Sequence, residues 1–355
     1  MNTDVKLIFD GRKTDDYGIG TYLKNIFGGL ISSGEFAYKF LHLKDSSSPE
    51  FLKENIINVG SKNYSLFEHL EIPLKIRGLK DYIYFSPHYV FPIFIKNRVI
   101  ATIHDLIHFK FPEFFPFYKR EIGKIFLKSL QQRGELIFTV SETSKKDIIN
   151  MFGFNEDRIK VIYNGIAEIF FSAEEQKTSI DFPYILYMGN LKPHKNLGIL
   201  LKAFSNIKGK YKELKLILIG IKNPKQLKKQ VEGLGIENRV IIKGYIEQKE
   251  VIKFIDNCLF FVFPSLYEGF GLPPIEVMAR GKAVVSSSGG SLKEILKDNA
   301  VLFNPQSEEE LTTVMENMII DESLRKEYES KGLKYSENFH WDKFVRQYID
   351  ILKGL

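Results

Sequence analysis

The sequence predicts an α/β protein with doubly wound parallel sheets, because short apolar strands alternate with helical stretches along the whole chain. Twelve strands are expected: Lys6–Phe9, Tyr38–Leu43, Tyr82–Phe85, Val99–Ile103, Leu136–Val140, Ile159–Ile162, Tyr184–Tyr187, Lys215–Ile219, Arg239–Ile242, Leu259–Phe263, Ala283–Ser286 and Val301–Phe303. The polar stretch 172–181 interrupts this pattern and is expected to link two nucleotide-binding-like halves. We therefore predict one domain over 1–171, a second over 182–335, and a cleft between them.

Length and composition narrow the classes of protein that fit. The 355 residues allow two domains of ordinary size, and 44% hydrophobic residues supply both cores. No apolar run has the length of a membrane span, and the first residues do not form a secretory signal. The single cysteine, Cys258, excludes an internal disulfide and fits a reducing cytoplasm, where we expect the protein. A net charge of +6 suits anionic ligands or a membrane surface, and no nucleic-acid partner is expected.

Residues 264–281 carry the most specific pattern, a loop with two glycines between an apolar strand and a helix. Gly269 and Gly271 let the backbone approach a ligand closely, and the amino terminus of the next helix favours a diphosphate. Glu268 in the loop and Glu276 in the first helical turn can accept hydrogen bonds from sugar hydroxyls. The segment therefore predicts a nucleotide-sugar site at the carboxyl end of a strand.

Glu268, seven intervening residues and Glu276 resemble the signature of the family-four retaining glycosyltransferases, and so does the surrounding Phe-Pro-Ser-Leu-Tyr-Glu-Gly-Phe-Gly-Leu-Pro-Pro. The resemblance implies a GT-B fold, in which two Rossmann-like domains face a cleft and the last helix, within 336–355, crosses back onto the first domain. It also implies that Glu268 lies by the donor hexose as a catalytic residue, and that Glu276 binds the ribose. Four residues between them are implied to contact the sugar and the phosphates: Gly269, Phe270, Gly271 and Leu272.

The segment 184–197 predicts a strand, a glycine turn and a helix that would complete the donor site. Lys195 falls at the beginning of this helix, where a cation is unfavourable unless an anion lies in front of it. A diphosphate would be that anion, and Lys195 matches the family's catalytic lysine, which stabilises charge on the departing nucleotide. Many family members have arginine directly after the glycine, whereas this chain has Asn190. Lys192 is a candidate replacement, and a solvated basic turn is the alternative.

Two further segments belong to the expected donor half. In the family, the turn that holds Gly244 and Tyr245 lies close to the nucleotide base, so both residues are donor-binding candidates. The serine- and glycine-rich segment 286–291 suggests a phosphate loop. Capping of the following helix is favoured instead, because Ser291–Glu294 and Ser307–Glu310 both have capping-box spacing.

The first half is expected to face the acceptor. Gly18 and Gly20 resemble the family's glycine loop against the donor phosphates, and the absence of a third glycine disfavours a dehydrogenase. His104 follows a predicted strand and matches a family histidine near the reactive carbon and a donor hydroxyl, so it is assigned a catalytic role. Asp105 is expected to orient His104, to contact the acceptor or to cap the next turn.

A basic stripe, Arg120, Lys124 and Lys128, lies on a predicted helix whose apolar positions include Tyr118, Ile122 and Ile125. The favoured interpretation is a helix that faces the core and has a solvated back. The alternative is an interfacial surface that brings the enzyme to a lipid-linked acceptor at the cytoplasmic face of the inner membrane.

The resemblance implies a hexosyltransferase of cell-surface polysaccharide synthesis, closest to bacterial O-antigen mannosyltransferases. The expected donor is GDP-mannose and the expected acceptor is a glycan or a lipid-linked glycan. Transfer would retain the anomeric configuration, by front-face displacement and without a metal ion. A UDP-sugar donor, a sugar-nucleotide epimerase and a non-catalytic nucleotide-sugar-binding member of the family are the alternatives.

Overall fold

A computed structural model describes residues 5–16, 18–46, 49–172, 174, 176 and 180–355. The chain divides into two compact units, one of residues 1–165 with 341–355 and the other of residues 166–340. We call them unit 1 and unit 2. The sequence-based boundaries were 171, 182 and 336. Within the expected linker, residues 173, 175 and 177–179 lie outside the described residues.

Unit 1 contains a sheet whose described strands all pair in parallel. They are β1 (Lys6–Asp10), β2 (Ala37–Leu43), β3 (Ile56–Val59), β4 (Ile83–Ser86), β5 (Val99–Ile103), β6 (Gly134–Thr139) and β7 (Ile159–Val161). Their order is β3-β2-β1-β4-β5-β6-β7. The chain therefore winds outward from β1 in both directions, and the switch point lies between β1 and β4.

Helices connect the strands of unit 1, as parallel pairing requires. Those before the second unit are α1 (Ile19–Ser32), α2 (Glu68–Lys75), α3 (Ile107–Lys110), α4 (Phe117–Arg133) and α5 (Glu142–Phe152). Aromatic rings fill the core beside β1, where Phe27 lies 4.6 Å from Phe9 and 5.0 Å from Phe85 between ring centroids. This packing explains the high phenylalanine content of the first half.

Unit 2 repeats the same winding in its own parallel sheet. Its described strands are β8 (Tyr184–Met188), β9 (Lys215–Ile219), β10 (Val240–Ile242), β11 (Phe260–Phe263), β12 (Val284–Ser287) and β13 (Val301–Phe303). The order is β10-β9-β8-β11-β12-β13, so the switch point lies between β8 and β11. The helices are α6 (Leu197–Ile207), α7 (Lys225–Gly233), α8 (Gln248–Asp256), α9 (Leu272–Ala279), α10 (Leu292–Leu296), α11 (Glu308–Ile320) and α12 (Glu322–Ser336).

The last helix, α13 (Trp341–Lys353), packs against α1 in unit 1. Tyr348 lies 4.3 Å from Phe138 between ring centroids, and its hydroxyl lies 2.8 Å from that of Tyr22. A Cβ added to Gly165 would lie 2.7 Å from the Trp341 ring, so only glycine allows this helix to approach so closely. These contacts make α13 part of unit 1 although it ends the chain.

The α/β fold class is confirmed, and every predicted strand exists with bounds shifted by two residues or fewer. One strand was missed. β3 is a four-residue edge strand with two exposed positions, Ile56 and Asn58, and it lacks the continuous apolar run that marked the others. Among the described helices, none combines the length and the apolar character that a bilayer crossing demands.

Candidate active site

Lys195 and Glu268 form an ion pair at the switch point of unit 2. Lys195 follows β8 and Glu268 follows β11, and Lys195 Nζ lies 2.6 Å from Glu268 Oε1. Both side chains are about five-sixths buried, at 16% and 15% exposure. Lys195 ends a short 3₁₀ turn, Pro193–Lys195, and directly precedes Asn196, the N-cap of α6, so it lies at the beginning of this helix as predicted. The anion that the sequence analysis expected in front of Lys195 is, in this structure, the Glu268 carboxylate.

The loop after β11 is fixed by two hydrogen bonds to the Lys195 turn. The Leu266 N–H donates to the His194 carbonyl at 2.7 Å, and the Asn196 side-chain amide donates to the Pro264 carbonyl at 3.1 Å. One main-chain bond and one side-chain bond therefore join the Glu268 loop to the Lys195 turn. The ion pair is therefore held by two segments that are themselves tied together.

Residues 286–291 support the same loop from behind. The Ser291 hydroxyl donates to the carbonyls of Glu268 at 3.1 Å and Phe270 at 3.2 Å. Gly290 has φ +60°, and a Cβ there would lie 2.6 Å from the Glu268 backbone. The serines and glycines of this segment thus allow close backbone packing.

The predicted helix cap at Ser291 is wrong, because that hydroxyl turns to the loop and makes no cap hydrogen bond. At Ser307 the capping prediction is confirmed, since its Oγ accepts the Glu310 N–H at 3.1 Å. The same sequence spacing therefore has different structural meanings at the two sites.

Glu276 lies on α9, which begins at Leu272 after Gly271, with two prolines in its first turn. It is the fifth residue of the helix, and the prediction that placed it in the first turn is wrong. No hydrogen bond or ion pair links its carboxyl group to any described residue. Burial raises the pKa of Glu276 to about 7. An acid of this kind, partly buried and without a partner, suits a ligand that donates hydroxyl groups.

The other expected contacts on this loop differ in character. Gly271 has φ +93°, a conformation that favours glycine, whereas the Phe270 side chain is buried against Phe339. Gly269 is also buried, and Leu272 is partly exposed. Phe270 can therefore serve a ligand only through its main chain, as the family resemblance implies.

Three glycines meet where β8, β9 and β10 end. The Gly189 N–H donates to Ile219, and the Gly220 N–H donates to the Gly244 carbonyl at 3.1 Å. A Cβ on Gly220 would lie 2.8 Å from the Gly189 carbonyl. Gly244 itself borders open space and Tyr245 is exposed, which leaves this corner accessible.

Asn190 builds the turn after β8. Its carbonyl accepts the Tyr187 hydroxyl at 3.1 Å, and its side-chain oxygen accepts the Lys192 N–H at 3.0 Å. The side chain that stands in place of the family's arginine is therefore used within its own turn. Lys192 is exposed beside it, and its ammonium group makes no hydrogen bond or ion pair within the described chain.

In unit 1 the two glycines after β1 play different parts. Gly18 precedes α1 with φ +83°, and the space around a Cβ there is open. Gly20 packs on the preceding loop, where a Cβ would lie 2.5 Å from the Thr14 carbonyl. Only Gly18 therefore leaves room for a ligand, while Gly20 is explained by packing.

His104 directly follows β5, as predicted. Its Nε2 lies 2.9 Å from the Pro87 carbonyl, so that nitrogen carries the proton and Nδ1 is left as an acceptor. Burial lowers the pKa of His104, which keeps the ring neutral at pH 7. The Asp105 carboxylate accepts the Ile107 N–H at 3.0 Å and thus caps the next turn. A neutral His104 can accept a hydrogen bond from a sugar hydroxyl.

A buried charged network after β1 was missed by the sequence analysis. The Arg12 guanidinium donates to Asp10 at 2.7 Å and to Glu68 at 2.5 Å, and the Tyr84 hydroxyl also donates to Asp10 at 2.7 Å. Burial opposes ionisation of Asp10, but Arg12 overrides it and holds the pKa of that carboxyl below its usual range. Lys13, the next residue, is buried beside Tyr64. The sequence signal that could have revealed this network is the presence of charged residues directly after an apolar strand.

The favoured interpretation of α4 is confirmed in part, because one face of the helix packs on the core, but Tyr118, Ile122 and Ile125 do not lie on that face. The helix buries Gly123, Phe126, Leu127 and Leu130, whereas four of its large apolar side chains are exposed: Phe117, Tyr118, Ile122 and Ile125. Its exposed face is therefore apolar and basic together, because the lysines of the stripe border these side chains. On α2 and the turn before it, Leu66, Phe67, Leu70 and Leu74 are exposed as well.

Comparison with known proteins agrees with the two-unit description. The model of Glycosyltransferase Family 4 matches residues 18–168, and that of Glycosyl transferases group 1 matches residues 166–335. O-antigen chain mannosyltransferase B of Escherichia coli is 30% identical over 79% of this chain and 76% of its own length. The serotype-specific mannosyltransferase WbdA of E. coli is 28% identical over 69% of this chain, and the match spans only 32% of WbdA.

Solved structures share the fold over nearly the whole chain. The structure of Anabaena HepE in complex with UDP-glucose has a TM-score of 0.78 at 20% identity and covers 99% of this chain and 100% of its own. The two parallel sheets with their helices are those of the GT-B architecture.

Proposed function

This chain belongs to the family 4 glycosyltransferases, and we propose that it moves a hexosyl group from a nucleotide diphosphate sugar to a glycan hydroxyl with retention of configuration. The observation that carries the proposal is the Lys195–Glu268 pair, with Nζ 2.6 Å from Oε1, at the switch point of unit 2. Open α/β sheets bind ligands outside the carboxyl ends of their strands at this position. A buried cation next to a partly buried acid suits a ligand that is anionic at one end and rich in hydroxyls at the other.

In this proposal the donor binds unit 2 through two kinds of contact. The Lys195 ammonium gives up part of its interaction with Glu268 and binds the diphosphate instead. Both charged groups therefore keep a partner. Glu268 then holds a hydroxyl of the hexose, while Glu276 accepts the ribose hydroxyls. The N–H groups of Gly271 and Leu272 face the phosphates at the start of α9, since Pro273 and Pro274 have no N–H to donate. The donor-contacting backbone would run from Gly269 through Leu272.

The chemical step is a displacement on one face of the sugar. The bond between the anomeric carbon and the diphosphate oxygen breaks, and a bond from that carbon to the acceptor oxygen forms. The acceptor's proton passes to the departing phosphate oxygen. Lys195 offsets the charge that builds on the leaving diphosphate. In unit 1, Gly18 is assigned to the phosphates and His104, through its Nδ1 acceptor, to a donor hydroxyl.

Mannose carried by GDP is the proposed donor, because two similar proteins are named as mannosyltransferases. A UDP-sugar is the competing donor, since the HepE structure is a complex with UDP-glucose. The contacts to the nucleotide base that are assigned to Gly244 and Tyr245 do not discriminate between guanine and uracil, because backbone groups can bind either base. A thermal-shift screen of GDP, UDP and their sugars would decide, since selective binding raises Tm.

Transfer is tested by following product formation with the donor that the screen selects. Transfer to a glycan acceptor with retention of the anomeric configuration supports the proposal. Binding of the donor without turnover supports the alternative of a non-catalytic family member. Formation of an epimer without an acceptor supports an epimerase. We also propose metal independence, so activity should be unchanged in excess EDTA. Loss of activity in EDTA that Mg²⁺ restores would contradict that part of the proposal.

The acceptor is proposed to be a lipid-linked glycan reached at an anionic membrane surface. The exposed face of α4 supports this, because Tyr118, Ile122 and Ile125 lie beside Lys124 and Lys128. Helices with apolar and aromatic residues next to lysine and arginine lie in the interface of anionic bilayers.

A further inference from the structure

Unit 1 has a switch point in the same topological position as the one that holds the Lys195–Glu268 site of unit 2. β1 and β4 are neighbours in its sheet and the winding changes direction between them, as it does between β8 and β11. The loop after β1 carries Lys13, and the loop after β4 carries His88. Ligands of doubly wound sheets bind outside such a switch point. Because unit 2 has its candidate donor site at this position, the residues that unit 1 places at its own switch point are candidates for ligand binding.

Lys13 places a buried cation at this switch point. Its side chain is 6% exposed, and Nζ donates to the Tyr64 hydroxyl at 2.7 Å. The carboxylate nearest to it, Asp16, is 3.6 Å away and its side chain is 55% exposed to water. The buried acids close by, Asp10 and Glu68, are both held by Arg12. The ammonium group therefore keeps donor capacity and charge for a further anion.

His88 adds a neutral donor. Its Nδ1 accepts the Val90 N–H at 3.2 Å, so the ring proton resides on Nε2. No described residue accepts a hydrogen bond from that Nε2. Burial, and then the charge of Lys13, lower the pKa of His88, so its ring is neutral at pH 7. The Tyr64 ring lies 6.3 Å from the His88 ring, nearly perpendicular to it at 82°.

Tyr64 joins this polar group to an apolar surface. It adopts φ +67°, which a tyrosine rarely does, and its N–H donates to Glu68 at 2.9 Å. The chain then continues into the exposed side chains of α2 and its preceding turn, with Leu66 87% exposed. An anion site bordered by exposed apolar side chains fits an anion that carries a hydrocarbon chain. Sugar nucleotides and free phosphate lack such a chain.

We propose that Lys13, Tyr64 and His88 bind the phosphate group of a lipid-linked acceptor, whose hydrocarbon chain lies along the exposed apolar residues of α2. The ammonium and two N–H or O–H donors match the oxygens of a phosphate. The site rests on the proposed function for its role as an acceptor site. Its binding chemistry is independent of transfer and can be measured without a donor.

Binding of dodecyl phosphate, carried in dodecyl maltoside micelles, tests the site on the full chain. A ³¹P NMR titration should show saturable binding of dodecyl phosphate, and an excess of dodecanol, which lacks the phosphate, should not displace it. Lys13→Gln should weaken binding about tenfold, the loss expected for one charge-assisted hydrogen bond. Lys24→Gln, an exposed lysine on α1, is the matched control and should bind as the wild type does. Equal binding by Lys13→Gln and wild type would overturn the proposal.

Two further measurements keep the test decisive if Lys13→Gln fails to fold. Tyr64→Ala changes an exposed residue and should also weaken dodecyl phosphate binding. In the wild type, dodecyl phosphate should shift the ¹⁵N resonance of His88 Nε2; an unshifted resonance at saturation would contradict the site.

Nucleotide binding separates the possible sources of the phosphate. GDP and UDP affinities should be unchanged in Lys13→Gln; a parallel loss would assign Lys13 to the donor diphosphate and refute the acceptor site. Inorganic phosphate that binds as tightly as dodecyl phosphate would also refute a lipid ligand. If nucleotide sugars do not bind but dodecyl phosphate does, the proposed function fails while this site stands.

Discussion

Lys195 Nζ lies 2.6 Å from Glu268 Oε1, so the cation and the acid assigned to opposite ends of the donor neutralise each other. Each therefore stays buried without the cost of an unpaired charge. A bound donor would replace the pair with a phosphate for the lysine and a hydroxyl for the glutamate. The ion pair thus holds both side chains in position before the donor binds, and the bound donor is expected to replace this ion pair.

Replacement of Lys195 should damage catalysis more than binding. We expect Lys195→Ala to lower kcat by about 100-fold or more, because the charge that offsets the leaving diphosphate is lost. The KM for the acceptor should change little. Lys202→Ala, on the exposed side of α6, is the matched control and should leave both constants unchanged. Steady-state kinetics with varied acceptor would measure this, and an undiminished kcat in Lys195→Ala would remove the assigned role.

Ser291 and Ser307 provide a matched pair that separates support of the loop from helix capping. Ser291→Ala removes the donor to the Glu268 and Phe270 carbonyls and should cost about 1–2 kcal/mol of stability and also reduce kcat/KM for the donor. Ser307→Ala removes a helix cap and should cost about 1 kcal/mol with unchanged kinetics. Urea unfolding and donor kinetics on both variants test this. Unchanged kcat/KM in Ser291→Ala would show that the loop keeps its geometry without this hydroxyl.

The sequence predicted most of the fold because the strands are buried on both faces. Runs such as Val99–Ile103 and Lys215–Ile219 stand out from polar flanks, and the structure has them with the same bounds. The edge strand β3 escaped because an edge position requires no continuous apolar run. The ion pair between residues 195 and 268 was expected only as a shared site, since spacing along the chain gives no distance between side chains.

Other features depend on tertiary contacts that no local pattern contains. The Ser291 hydroxyl has the spacing of a cap but finds two loop carbonyls in better position. The apolar residues of α4 follow two faces of the helix, and only packing decides which face is buried. Lys13 gave no motif, because its significance comes from Tyr64 and His88, which lie more than fifty residues away.

Glu276 should make the protein less stable as pH rises. Burial raises its pKa in the folded state to about 7 from its usual value of 4.5, so the folded state favours the protonated form. The stabilisation that protonated Glu276 gives the folded state is complete below about pH 4.5 and is lost as pH rises through 7. Glu276→Gln should therefore stabilise the protein at pH 8 by roughly 3 kcal/mol and leave stability at pH 4.5 nearly unchanged.

The same variant should bind the nucleotide less well, because the amide replaces an acceptor that can take two ribose hydroxyls. Urea unfolding at the two pH values and a thermal-shift titration with the nucleotide measure both effects. Glu309→Gln, on α11, serves as the control. A variant that is stabilised at pH 8 but binds the nucleotide as tightly as wild type would contradict the assigned contact to the ribose.

The basic and apolar face of α4 should bind anionic membranes. We expect the wild type to float with vesicles that contain anionic lipid, and not with neutral vesicles. We expect 0.5 M salt to weaken the interaction because Lys124 and Lys128 are exposed. Charge reversal of Arg120, Lys124 and Lys128 to glutamate should abolish flotation. Reversal of three exposed lysines on α7 in unit 2 is the matched control, at Lys225, Lys228 and Lys229.

Exposed apolar residues supply the second part of this interaction. Ile122→Ser with Ile125→Ser leaves the charge unchanged, removes apolar area from the same face, and should lower the vesicle-bound fraction at physiological salt. The fold should tolerate both changes because the side chains are exposed. If the charge-reversed and wild-type proteins bind vesicles equally, α4 is not the membrane surface. If only the α7 variant loses binding, the surface lies in unit 2.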